Sequence, residues 1–247
     1  MENGNNPISR NGGFNSSAGI ETQSLAKNFV SNVMVYMTAA LAISGVIAYW
    51  FGTNMDLLRL LYNAEGTGLS IFGWVAMLGP LGLVLLLGFR FQKMSSTAML
   101  TTMIIFSALM GISMSSIFVI YTSASITTTF LISSATFGIM AVVGYTTNTD
   151  LTKFGSIMMM GLIGIIIAMV VNWFLQSATM DYVISGLGVL IFTGLTAYDM
   201  QKLKQLGMQV DSTTEMGNKL ALMGALTLYL DFVNLFLFLL RFLGNRD

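Results

Sequence analysis

The sequence predicts an all-α membrane protein, a bundle of seven transmembrane helices. Of 247 residues, 55% are hydrophobic and only 9% carry charge, against roughly 25% charged in a soluble domain. Mean hydropathy is +0.76. Seven apolar stretches reach the about 20 residues that a helix needs to cross a bilayer. The connections between them are short except at 52–69 and 204–217.

Residues 1–26 are rich in Asn, Gly and Ser and lack the pattern of a cleaved signal, so they are expected to form a disordered polar tail ahead of a membrane domain over 27–247. The first span, 28–51, then directs insertion itself. The second, 70–91, contains Pro80 after Gly79 and is expected to kink there. The third and fourth cover 97–121 and 125–147. The fifth, 154–175, carries Met158, Met159 and Met160, side chains that fill irregular gaps. The sixth and seventh cover 182–203 and 218–243. Gly161, Gly164, Gly186, Gly188, Gly194 and Gly224 allow close approach of helices. Trp50, Trp74 and Trp173 fall near span ends, as interfacial aromatics do.

Loop charge orients the bundle. One side carries Arg10, Lys27, Arg90, Lys93, Lys153, Lys202, Lys204 and Lys219; the other carries Arg59, Arg241 and Arg246. The positive-inside rule then predicts a cytoplasmic N-terminus and an external C-terminus. With no signal-peptide or ER-retention pattern in the sequence, a bacterial-type plasma membrane is expected.

Eleven acidic residues balance eleven basic ones, and no basic run suggests nucleic acid. There is no cysteine and no histidine. That excludes disulfides, thiol chemistry, the usual zinc and haem ligand sets and Ser-His-Asp catalysis. A metal would have to be held by oxygen, which favours hard cations such as calcium. No bound cofactor is expected.

Two aspartates, Asp199 and Asp231, lie in or at the edge of apolar spans. A bare carboxylate at membrane depth costs at least about 2.5 kcal/mol, so such residues face the protein interior and mark a pathway, relay or catalytic centre. At about 100° per residue, Thr227, Asp231, Asn234 and Arg241 share one face of the last helix, whose other residues are mostly Leu, Phe and Val. Thr196 lies on the side of Asp199. Arg90 ends the second span on the side of Asp199 and is a candidate partner for it, with snorkelling to the headgroups as the alternative. Arg241 reads as an interface anchor. Counting along the helices leaves Asp199 about one turn from the basic boundary and Asp231 near mid-depth. Pairing them needs the sixth helix to run past Lys204, or the seventh to tilt or to start outside the membrane. Two carboxyls brought together there would share a proton, and when ionised would offer oxygens to a hard cation.

The run from Leu226 to Arg241 reads Leu-Thr-Leu-Tyr229-Leu-Asp231-Phe-Val-Asn234-Leu-Phe-Leu-Phe-Leu-Leu-Arg241 and follows Thr196-Ala-Tyr198-Asp199. It resembles the transmembrane Bax inhibitor motif family over about residues 25–245. The resemblance implies a seven-helix bundle with the last helix central, and a pH-sensitive calcium leak channel. It places the family's di-aspartyl sensor at Asp199 and Asp231 and its arginine latch at Arg90. From the residues themselves, Asp199 and Asp231 are the candidate metal-contacting groups, and Thr196, Thr227 and Asn234 the supporting polar face. The expected partners are calcium, protons and the bilayer.

Two rivals use the same carboxylates. A proton-coupled exchanger would show saturable, coupled flux. An intramembrane aspartyl protease would need glycines before its second aspartate, where this chain has Leu228, Tyr229 and Leu230. A purely scaffolding role would leave both aspartates without a reason.

Overall fold

In the structure, a computed structural model, residues 12–63 and 68–245 are described, with side chains from Thr22 onward. The helices among them are α1 (Gly12–Thr53), α2 (Met55–Arg59), α3 (Ile71–Arg90), α4 (Ser96–Met114), α5 (Ile117–Ile120), α6 (Ser123–Thr146), α7 (Thr152–Leu175), α8 (Ala178–Gly207) and α9 (Glu215–Leu243). Seven segments are long and apolar enough to cross a membrane: α1 from Thr22, α3, α4 continued through α5, α6, α7, α8 and α9. The all-α seven-helix bundle expected from composition is thus the fold.

Several boundaries differ from those read in the sequence. The tail expected over 1–26 is helical from Gly12, and residues 1–11 lie outside the described residues. Once a span has nucleated a helix, extending it by Ala, Gln, Ser and Leu costs little. Here the extension also packs, because Ala26 and Phe29 are buried against Gly207 at the end of α8. The third span breaks into α4 and α5 at Ser115 and Ser116; the Ser115 hydroxyl donates to the Ile112 carbonyl at 2.7 Å. Pro80 is buried within α3, which continues to Arg90.

The last helix is the central one. Buried residues make up 72% of the apolar window of α9 but 11% of that of α7. α9 packs on α1, α4, α6 and α8, whereas α7 packs mainly on α8 and α3 mainly on α4. Small residues let α9 sit that close: Ala221 and Ala225 are fully buried, and a Cβ on Gly224 would lie 2.5 Å from Leu203 Cδ2. Gly161, Gly188 and Gly194 are likewise contact points, but a Cβ added at Gly164 would meet no other helix within 4 Å. A contact not anticipated is Gly144 of α6, whose missing Cβ leaves room for the Ala197 backbone of α8.

Because the spans alternate in direction, their ends sort into two sets. Lys27, Arg90, Lys93, Lys153, Lys202, Lys204 and Lys219 fall at one end, hereafter the basic end. Arg59 and Arg241 fall at the other, where the Thr122 amide donates to the Asn245 carbonyl at 3.3 Å. Trp50, Trp74 and Trp173 are all exposed near this second end.

Candidate functional site

α8 and α9 run antiparallel in direct contact, and their register is fixed by small residues. Leu203 meets Gly224 near the basic end. Gly188 meets Phe238 and Gly186 meets Phe242 near the other, with Phe192 stacked on Phe238 at 5.7 Å. Residue numbers rise along one helix as they fall along the other, and the same register sets Asp199 opposite Asp231.

The depth mismatch counted from sequence is met by an offset between the two helices. Asp199 lies about 12 Å inside the end of α8 and Asp231 about 24 Å inside the start of α9. Leu203, four residues from the end of α8, meets Gly224, nine residues into α9, so α9 starts beyond the end of α8.

The two carboxyl groups lie within hydrogen-bonding reach of one another. A hydrogen bond between them requires a proton on one of the two. Asp231 is buried, at 5% exposure, and its Oδ2 is the buried side-chain atom without a hydrogen-bond partner among the described residues. Asp199 is half-buried. An orphaned buried oxygen is costly, about 1–3 kcal/mol, and in a native structure needs a reason.

Both aspartates line a cavity of about 670 Å³ between α7, α8 and α9. Its wall on α7 is apolar, with Met159, Leu162, Ile166 and Met169. Its polar residues form a file along α8 and α9: Lys202, Asp199, Asp231, Thr227, Asn234 and Arg241. The file extends from near the basic end, at Lys202, to near the opposite end, at Arg241.

The expected supporting face is only partly present. Thr227 and Asn234 do line the cavity, although each donates to its own helix, Thr227 Oγ1 to the Met223 carbonyl at 3.1 Å and Asn234 Nδ2 to the Leu230 carbonyl at 2.8 Å. Thr196 does not join them. It is fully buried off the cavity, and its hydroxyl donates to the Phe192 carbonyl at 2.8 Å.

Arg90 is not brought to the pair. It is exposed at the end of α3, and no ion pair to it occurs among the described residues. The physical reason is that α3 packs mainly on α4, away from α8. The cation whose charge acts on Asp199 is Lys202, one turn further along α8. Arg241 is more than an anchor: its Nη1 lies 3.4 Å from Asp181 Oδ1 and its guanidinium 5.8 Å from the Phe238 ring, tying α9 to α8 at the far end of the cavity.

Other supports were not read from the sequence. Gln201 is buried beside the site; its Nε2 donates to the Thr149 carbonyl at 2.8 Å, and its Oε1 accepts from the Leu151 amide at 2.8 Å. One side chain thereby pins the start of α7 to α8. Tyr229 is fully buried, with its hydroxyl 2.7 Å from Ser44 Oγ of α1, and Ser44 Oγ lies 2.7 Å from the Ser107 carbonyl of α4. Lys219 is also buried, with Nζ 4.9 Å from the Phe91 ring centre. In the loops, hydrogen bonds from Thr152 hold Asp150, and hydrogen bonds from Thr213 hold Asp211, below the usual aspartate range.

Fold and site together define a multi-pass integral membrane protein built around a central helix with a buried carboxyl pair. The model of a known family, described as inhibitor of apoptosis-promoting Bax1, matches residues 26–247. The chain belongs to this Bax inhibitor-like family. It is similar to the inner membrane protein YbhL of Escherichia coli, with 40% identity over 230 residues that cover 93% of this chain and 94% of that protein. It is also similar to an uncharacterized protein of Borreliella burgdorferi, with 44% identity over 223 residues, 90% of this chain and 94% of the other.

Proposed function

We propose that this protein is a pH-sensitive cation leak, with calcium as the transported ion and the proton shared by Asp199 and Asp231 as its gate. The observation that carries the reading is the carboxyl pair set into a cavity lined by an end-to-end file of polar residues. With a proton between them, the two groups are bonded to each other and their helices are drawn together. Without it, two negative charges face each other and attract a hard cation. Neutral oxygens on Thr227 and Asn234 extend the path along α9.

The number of charged ligands favours passage over storage. Calcium takes 6–8 oxygen ligands, and no group of three or more carboxylates or other strong ligands occurs among the described residues. Two carboxylates attract the ion without trapping it. Lys202, and not Arg90, is the counter-charge at the basic end. By the positive-inside rule that end faces the cytoplasm, in a plasma membrane, with the C-terminus outside. The same reading makes the protein a transporter with no enzymatic step, in keeping with Leu228, Tyr229 and Leu230 standing where an aspartyl protease has glycines.

Calcium flux into liposomes containing the purified protein, measured across pH, tests this. The Asp199→Asn and Asp231→Asn proteins are expected to change the rate and flatten its pH response. Unaltered flux and pH response in both would sink the proposal. Saturable flux coupled to a proton gradient would identify an exchanger instead.

A further inference from the structure

On another side of α8 from the carboxyl pair, two cavities join end to end between α1 and α6. The inner one, about 520 Å³, lies among apolar residues of three helices, including Val30 and Met34 of α1, Ala141 and Val142 of α6, and Met200 of α8. The outer one, about 500 Å³, lies at the basic end and is lined by Gln23, Ser24, Lys27, Tyr145 and Lys204. Lys27 and Tyr145 line both, so the two form one groove that is polar at the basic end and apolar below it. From Lys27 to Met34, and from Tyr145 back to Gly138, the apolar part extends about 10 Å into the bilayer.

The groove exists because α1 and α6 each pack on α8 without closing on one another. Gly138 widens it further: a Cβ there would meet nothing within 4 Å. The charge of the outer chamber is one-sided. Among the described residues its lining has two lysines and no carboxylate, and neither lysine has an ion pair. Lys204 Nζ lies 5.3 Å from the Tyr145 ring centre, held beside the chamber.

We propose that this groove binds one anionic glycerophospholipid, with its phosphate between Lys27 and Lys204 and the start of an acyl chain against Met34, Ala141 and Met200. Basic pockets between transmembrane helices suit anionic headgroups, each lysine contributing about fivefold in affinity. A soluble anion would use the lysines but has no need of the apolar groove below them. A phosphatidylcholine would use the groove but carries its own cation opposite the lysines. Only an anionic lipid satisfies both halves.

Native mass spectrometry of the detergent-purified protein, titrated with phosphatidylglycerol or phosphatidylcholine, tests the assignment. One phosphatidylglycerol is expected to be retained in preference to phosphatidylcholine. In the Lys27→Gln/Lys204→Gln protein that preference is expected to fall by about fivefold per lysine. Gly138→Leu fills the groove and is expected to lower retention of phosphatidylglycerol with both lysines still in place. A thermal melt confirms that each variant is folded, and the lysine variant, changed only at the membrane surface, keeps the test decisive if Gly138→Leu is not. Equal retention of the two lipids, or retention unchanged in the lysine variant, overturns the proposal. So does displacement of phosphatidylglycerol by inorganic phosphate at matching concentration, which would mark a soluble-anion site.

Discussion

The hydroxyl of Tyr229 lies 2.7 Å from Ser44 Oγ, on the side of α9 that faces away from Asp231. Two residues along a helix are about 200° apart, so one turn of α9 presents an anchor to α1 and a carboxyl to α8. The Tyr229 ring packs edge-on against Phe106 of α4 at 5.2 Å, and Ser44 reaches the Ser107 carbonyl at 2.7 Å. This fixes the rotation of α9, and with it the direction in which Asp231 points. Tyr229→Phe removes one hydrogen bond while Ser44 keeps its backbone partner. It is expected to cost about 1 kcal/mol in stability, read from a denaturation curve in detergent. Calcium flux should keep its pH response. A pH response lost as fully as in Asp231→Asn would mean that the sensor extends across α9 and is not confined to the carboxyl pair.

Asp231 is where stability and function should part. Its Oδ2 is buried without a partner, and a hydrogen bond between Asp231 and Asp199 requires a proton on one of the two carboxyls. In Asp231→Asn the amide donates to Asp199 at any pH. The substitution is expected to raise stability by about 1 kcal/mol while it abolishes pH-gated flux. A thermal melt with and without the change reads the first effect and the liposome assay reads the second. A protein destabilised by the change would show that the orphaned oxygen is better satisfied than its surroundings indicate.

The seven spans were legible because each is a long apolar run, a signal that survives any packing arrangement. The aspartates were legible because a carboxyl in such a run is rare and costly. What was not legible depends on which helices touch. Thr196 sits one turn from Asp199 in sequence, yet the crowded contact of α8 with its neighbours takes it off the cavity. Arg90 shares one end of the bundle with Asp199, which makes it a candidate partner in sequence, but ends are shared by every helix and contacts are not. The two bonds of Gln201 are to backbone groups 50 and 52 residues away, which no local pattern encodes. Burial of Lys219 against Phe91 was equally hidden, since position near a span end suggests solvent.

The α8–α9 loop carries its own acid sensitivity. Asp211 Oδ1 accepts from the Thr213 amide and the Thr213 hydroxyl, both at 2.8 Å, and these bonds hold its carboxyl below the usual aspartate range. A group whose pKa falls on folding stabilises the fold above its unfolded value, about 3.9, and loses that contribution as pH drops through the folded value. The loop should therefore hold its structure at neutral pH and loosen only below about pH 4. Hydrogen exchange of amides 212–214, corrected for intrinsic rates, is expected to show this loosening in the natural protein and not in Asp211→Asn. Any pH response of flux nearer neutrality then belongs to other groups.

Lys202 and Arg90 make opposing predictions about the counter-charge. Lys202 lines the cavity one turn from Asp199, and its charge acts on that carboxyl; Arg90 is exposed at the end of a helix that packs elsewhere. A fixed positive charge in the cavity opposes entry of a cation. Lys202→Gln is therefore expected to raise calcium leak on the order of fivefold, the effect of about 1 kcal/mol at the intermediate dielectric of a partly hydrated site. Arg90→Gln is expected to leave both the leak and its pH response unchanged. The two variants belong in the same liposome preparation, with leak normalised to the amount of protein inserted. If Arg90→Gln opens the pathway and Lys202→Gln does not, α3 must approach α8 in another state of the protein. The gate would then be a movement of α3, and Lys202 a bystander at the membrane surface.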